Sequence, residues 1–238
     1  MAVRADGRRI ATAPCFDDAE LRLPGGADDP VALDHAGPRA ATWSLERAVA
    51  AADLPEPETG RRPRALLEAG WAALTERFAA AAARVRRADR TPVLAVDDDG
   101  LLQAALSPRT GGADDRARLA RLLAVHRACG PVDVALCVEE LCPGGLDATD
   151  GIEAARALAA QGAGTIYASG GTRAFGPLFH RTKGGSEGDP ALALASAAWL
   201  VGRVSARVVA VVWRGEPGAL LPPARALGLG GVVARGAS

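Results

Sequence analysis

Seven short apolar runs alternate along the chain with longer segments of helical period: Arg9–Ala13, Val31–Asp34, Pro92–Val96, Asp133–Val138, Gly164–Ser169, Arg207–Val212 and Gly231–Ala234. A strand buried on both faces needs an uninterrupted apolar run of this kind, and the intervening helices supply the cover. The order βαβα therefore predicts a parallel sheet flanked by helices. The clearest helix is expected over Leu66–Arg87, where Leu67, Trp71, Leu74, Phe78 and Ala82 form one stripe at spacings of three and four. Further helices are expected over Ala113–Ala128, Asp147–Gln161, Leu192–Val204 and Gly218–Leu227. Asp147 and Thr149 stand where the third of the five needs a cap, and Gly162 where it ends.

The 238 residues, 49% of them hydrophobic, suffice for one sizeable core and approach the roughly 250 residues of a (β/α)8 barrel. A single domain over residues 1–238 is expected, with an α/β fold of the TIM-type (β/α) barrel. An eighth strand is hard to place. Phe16–Pro30 is acidic, contains Gly25-Gly26 and offers only Glu20–Leu23 as a short alternating run, so the barrel is expected to be incomplete around the second strand. Pro38–Pro63 reads as an extended crossing connection and Arg173–Pro190 as a Gly-rich loop, both near the same end of the barrel.

Charge removes several function classes. The 28 basic and 28 acidic residues balance, so no basic field is available to attract nucleic acid or anionic lipid. The first 14 residues hold Arg4, Asp6, Arg8 and Arg9 without an apolar core, and no stretch reaches the roughly 18 apolar residues of a membrane span. No membrane association is expected, and a cytoplasmic location is. Cys15, Cys129, Cys137 and Cys142 lack paired metal-site spacing, so reduced thiols and no metal are expected.

A succession of motifs, in order, resembles the old yellow enzyme (NADH:flavin oxidoreductase) family, particularly its 2,4-dienoyl-CoA reductase-like branch. Arg9-Ile10-Ala11-Thr12-Ala13-Pro14 is similar to the first strand of that family, and Leu33-Asp34-His35-Ala36-Gly37-Pro38-Arg39 to its third-strand segment. Phe78-Ala79-Ala80-Ala81-Ala82 resembles the end of the helix before the fourth strand. Leu106-Ser107-Pro108-Arg109 through Arg118 resembles a shortened L-S-P segment. Glu139-Glu140-Leu141-Cys142-Pro143-Gly144-Gly145-Leu146 is the most specific piece, close to D-E-L-x-P-G-G-L, and Gly162–Thr172 matches G-x-D-x-x-x-V-S-G-G-T.

The resemblance implies FMN at the C-terminal mouth of the barrel and hydride passed from NAD(P)H to an activated double bond. It also implies residues for that chemistry, and several are replaced. The pair that polarises the substrate carbonyl falls on Val96 and Asp99, the proton-donating Tyr on Leu101, and the Gln that contacts the flavin on Ala32. The flavin-contacting Arg falls at or near Cys137, and the Gly-Gly of the seventh-strand phosphate turn on Val212-Trp213. Pro14, Arg214 and Arg235 remain as cofactor-binding candidates, with Arg235 the best phosphate ligand. The terminal helix that normally closes the barrel is expected to be lacking after Ser238.

His35 and Asp99 are the catalytic candidates. Asp97-Asp98-Asp99 ends a predicted strand, where barrel enzymes place catalytic groups, and three carboxylates there can act as a base or hold Mg²⁺; a solvated turn is the plainer reading. Glu139 and Glu140 share this ambiguity. Arg173, His180, Arg181 and Lys183 form a basic loop suited to an anion or to plain solvation.

Three functions follow. One is a non-catalytic barrel acting as a protein partner's subunit or in a homo-oligomer, with FMN weak or absent; its open edge and Trp43, Trp213, Leu220 and Leu221 would be covered by the partner. Another is a divergent FMN-dependent NAD(P)H oxidoreductase acting on an enone or enoyl-CoA-like substrate. The third is a flavin-independent, isomerase-type barrel using Asp99, Glu139, Glu140 or His35 for proton transfer.

Overall fold

The computed structural model describes residues 9–14, 31–34, 49–51, 64–66, 68–97, 101–108, 115–171, 190–212 and 217–235. Seven parallel strands form a ring: β1 (Arg9–Pro14), β2 (Val31–Asp34), β5 (Pro92–Val96), β6 (Asp133–Glu139), β7 (Thr165–Gly170), β8 (Arg207–Val212) and β9 (Gly231–Arg235). β3 (Val49–Ala51) and β4 (Arg64–Leu66) form a separate antiparallel pair. The helices are α1 (Glu68–Arg87), α2 (Leu101–Leu106), α3 (Asp115–Cys129), α4 (Ala148–Ala160), α5 (Pro190–Ala198) and α6 (Leu221–Ala226), the last preceded by a 3-10 turn over Pro217–Leu220.

The barrel closes. β9 pairs with β1 through Arg9↔Ala234 and Ile10↔Arg235, so the open sheet edge expected from the missing strand is not there. β1 pairs directly with β2, Pro14 opposite Asp34, which leaves no place in the sheet for a strand between them. The barrel is incomplete in strand number, seven among the described residues, while its hydrogen bonding is continuous. The segment 16–30 lies outside the described residues.

Strand alternation divides the core in two. Val93, Ala95, Ala135, Tyr167, Val209 and Val211 form one buried cluster, with Val233 against it; these are every second residue of β5 to β9 and fill the lumen. The other residues of the same strands, among them Leu94, Val96, Leu136, Val138, Ala168, Ala210 and Val212, join Phe78, Val85, Leu122, Leu158 and Leu200 of the surrounding layer. Burial on both faces explains the continuous apolar runs.

Local chemistry sets the helix bounds. Asp147 accepts hydrogen bonds from Thr149 N at 2.7 Å and Asp150 N at 3.0 Å, and Asp150 Oδ2 accepts from Asp147 N at 3.1 Å, a closed capping box. Asp147 is thus the cap, and Thr149 belongs to the first turn. Gly162 beyond the far end has φ +100°, a conformation that favours glycine. α5 stops at Ala198, short of the expected Val204, and turns over residues 199–203 replace its last part. Within Pro38–Pro63, read as a plain connection, Val49–Ala51 is a strand, and α2 lies where no separate helix was expected.

Candidate functional site at the barrel mouth

The C-terminal ends of the strands converge on one mouth. β5 and β6 are in register through Val96↔Leu136, so the next position sets Asp97 beside Cys137. Cys137 is the partner of Ser169 on β7, and Ala168↔Ala210 carries the row on to Val211 of β8. Alternation turns all four inward, continuing the lumen series Ala95, Ala135, Tyr167 and Val209. Asp97, Cys137 and Ser169 are completely buried. Adjacent members of such a row stand about 4.8 Å apart.

A register shift between Cys137 and Glu139 ends the row on β6. The extra residue reverses the phase of the strand, as a bulge must. Glu139 becomes the partner of Gly170, and its Oε1 accepts from Ser196 Oγ of α5 at 2.8 Å. A Cβ on Gly170 would collide with Ser196 Oγ, so only glycine permits this approach. The bulge is strapped by Gly171 N donating to Glu139 O at 2.8 Å. The Cys137 thiol donates to Glu139 O at 3.2 Å and Gly171 O at 3.4 Å.

Glu140 turns the other way and is buried. Its Oε1 accepts from Gln103 Nε2 at 3.1 Å, and its Oε2 from Ser107 Oγ at 2.6 Å and Leu146 N at 3.0 Å. Its own N–H donates to Leu146 O at 2.9 Å. The carboxylate joins the end of α2 to the loop before α4. Arg118, buried nearby, donates from Nε to Leu106 O at 3.2 Å. The Glu-Glu-Leu-Cys-Pro-Gly-Gly-Leu motif thus builds this corner of the barrel, and both of its carboxylates are engaged in holding neighbouring segments.

The candidates from sequence fare differently. Pro14 and Arg235 end β1 and β9, but their side chains, with His35, Asp99 and Arg214, lie outside the described residues. So do Asp98, Arg173, His180, Arg181, Lys183, Trp43 and Trp213, and the side chains of Ala32 and Leu101. Val96, matched by sequence to one of the carbonyl-polarising positions, packs in the outer layer; the inward position is that of Asp97. Leu220 and Leu221, expected at an exposed surface, pack against the core, whereas among the described residues Trp199 and Leu227 are the exposed large apolar ones, at 45% and 42%. Ser169 and Tyr167 were missed as lumen groups, although counting alternate residues along β7 would have found both. Among the described residues no cluster of three or more His, Cys, Asp or Glu could hold a metal.

Of the cysteines, Cys129 and Cys137 are buried free thiols and Cys142 is half-buried. Burial pushes the Cys129 thiol up from 9.0 to about 12, with the Arg86 charge pulling it only partly back, which makes it an inert core group. No described helix is long and apolar enough to cross a membrane.

No protein-family model matches the chain, and no curated protein matches it. Solved structures with the same fold do. A 2-naphthoyl-CoA reductase in complex with 2-naphthoyl-CoA superposes with a TM-score of 0.67 at 13% identity, over 87% of this chain and 35% of that one. Histamine dehydrogenase from Rhizobium sp. 4-9 gives 0.63 at 16% identity, over 87% and 32%. The 6-hydroxypseudooxynicotine amine oxidase of Pseudomonas geniculata N1 gives 0.62 at 21%, over 88% and 33%. The chain spans about a third of the length of these proteins. At such identities the likeness is one of fold alone, a parallel α/β barrel of the TIM type.

Proposed function

We propose that this chain is a degenerate old yellow enzyme-like barrel that lacks ene-reductase activity and works as a non-catalytic subunit, beside a protein partner or in a homo-oligomer. The observation that carries the reading is the inward row at the mouth, Asp97, Cys137, Ser169 and Val211. A flavin that accepts hydride gains negative charge on its ring, and a site for it supplies cations or N–H donors there. The row offers a carboxylate, a thiol whose proton is directed at backbone carbonyls, one hydroxyl and an apolar side chain. These residues do not fit a flavin that is to be reduced.

Other positions agree with this reading. Val96 and Val212 belong to the outer layer, and Glu139 and Glu140 hold α5 and α2. Charge-assisted hydrogen bonds contribute about 1.5–3 kcal/mol each, so losing three lowers flavin affinity by about three orders of magnitude or more. Pro14, Arg214 and Arg235 are the groups proposed to meet whatever FMN still binds. The names of the similar structures, a reductase, a dehydrogenase and an amine oxidase, support an oxidoreductase origin for the fold.

The subunit role draws support from Trp199 and Leu227, exposed on the turns after α5 and α6. A Cβ on Gly228 would lie 3.0 Å from Val201 Cγ1, so these two turns are neighbours. The purified protein is expected to show no flavin absorbance, to oxidise no NADH with an enone and FMN supplied, and to sediment as an oligomer or with a co-purifying protein. Enone-dependent NADH oxidation would refute the loss of activity. A strict monomer with no co-purifying protein would refute the subunit role.

A further inference from the structure

We infer that the end of the barrel opposite the mouth docks an acidic segment of a protein partner, with an apolar side chain on Trp199 and Leu227 and carboxylates on the arginines around them. The inference rests on the subunit role proposed above and adds the chemistry of the partner. α5 and α6 finish at this end, where β8 and β9 begin, and the turns after the two helices meet at Val201 and Gly228. Trp199 and Leu227, one on each turn, are the large apolar side chains exposed among the described residues. Surface apolar residues scattered singly need no explanation. Two on adjoining turns, one of them beneath a guanidinium, combine side chains of the kind that dominate interface energetics.

Charge identifies the occupant. Residues 190–212 and 217–235 contain no Asp or Glu and hold Arg203, Arg207, Arg225 and Arg235, in a chain whose charges balance overall. Arg203 lies over the Trp199 ring, 5.7 Å from its centroid, and donates from Nη1 to Trp199 O at 3.0 Å. Arg156 of α4 donates from Nε to Arg203 O at 2.9 Å, and Arg207 from Nη2 to Gly230 O at 2.7 Å. All three are exposed, and all three of these bonds end on backbone carbonyls. A guanidinium has five N–H donors, so one such bond fixes its position and leaves the rest of the fork for a carboxylate. Asp133 senses the Arg207 charge but is largely buried and receives Thr165 N. A second copy of the chain in a two-fold contact would set the same arginines against each other. An acidic segment with an apolar residue uses the arginines, the ring and the leucine together.

Selection of random peptides displayed on phage, with the full chain as bait, tests the surface. The selected peptides are expected to carry net negative charge and an aromatic or aliphatic residue. The tightest of them, made synthetically, should lose affinity about tenfold or more in Trp199→Ala and in Arg203→Glu, and lose affinity with added salt. Leu227→Ala, on the other turn, gives the same reading without touching the Arg203 hydrogen bonds, so the test stands even if Arg203→Glu fails to fold. Absence of any selected peptide, peptides without acidic enrichment, or affinity unchanged in the variants overturns the inference. So does binding of phosphatidylserine vesicles or of a DNA duplex that the same variants abolish, or self-association of the pure chain lost in Trp199→Ala. Two further readings keep the proposals apart. Enone-dependent NADH oxidation by the same samples defeats the non-catalytic reading whatever the peptides do, and a co-purifying protein retained by Trp199→Ala and Leu227→Ala leaves the subunit role standing while this surface falls.

Discussion

Glu140 accepts hydrogen bonds from Gln103, Ser107 and Leu146, three separate points of the chain. Removing a buried acceptor leaves its donors in a place water does not reach, so Glu140→Ala is expected to cost about 3 kcal/mol or more, and Glu140→Gln less. Urea unfolding checks this; a loss under about 1 kcal/mol would show that the corner does not depend on the carboxylate. Asp133 at the other end of β6 behaves differently. Burial raises its carboxyl above the ordinary 3.8, against hydrogen bonds from Thr165 and Gly164 and the Arg207 charge, which pull it down. The folded chain then holds this proton more tightly than the unfolded one. The stability it confers is present below 3.8 and is lost as pH rises through the raised folded value. Asp133→Asn keeps an oxygen for Thr165 N, which now donates to Oδ1 at 2.8 Å, and removes the charge. Its melting temperature should exceed that of the parent at neutral pH and not in acid; an equal difference at both would contradict the assignment.

At the scale of elements, α4 and β6 approach each other closely at Gly151. A Cβ on Gly151 would overlap the Val138 carbonyl, so Gly151→Ala is expected to destabilise by about 1–3 kcal/mol, against the roughly 1 kcal/mol that alanine gains in a helix interior. A more stable Gly151→Ala variant in thermal unfolding would show that α4 can move outward freely. The same element was legible from sequence, because Asp147 and Gly162 mark its ends chemically, although Thr149, also read as a cap, belongs to the first turn and the capping partner is Asp150. The strands β5 to β8 were legible for another reason, since burial on both faces writes an unbroken apolar run. α2, with six residues, and β3 and β4, with three each, were not: segments so short complete no period. The bulge at Glu139 was also hidden. Nothing in Cys137-Val138-Glu139-Glu140 announces an inserted residue, yet it decides that Glu139 faces α5.

For the whole molecule, seven strands among the described residues close a ring through β9 and β1, and the loss of flavin chemistry is proposed for the mouth of that ring. The sequence located the strands whose ends form this mouth; Asp99, Trp213 and the side chains of Ala32 and Leu101, where replacements are expected, lie outside the described residues. Val96, matched to a carbonyl-polarising position, lies in the outer layer and Asp97 takes the inward place beside it, while Ser169 and Tyr167 needed only a count of alternate residues along β7. The direct test of a barrel without flavin chemistry is a titration of FMN into the purified protein, followed by quenching of flavin fluorescence. No saturable quenching is expected; saturation near one flavin per chain would show that the barrel still holds the cofactor.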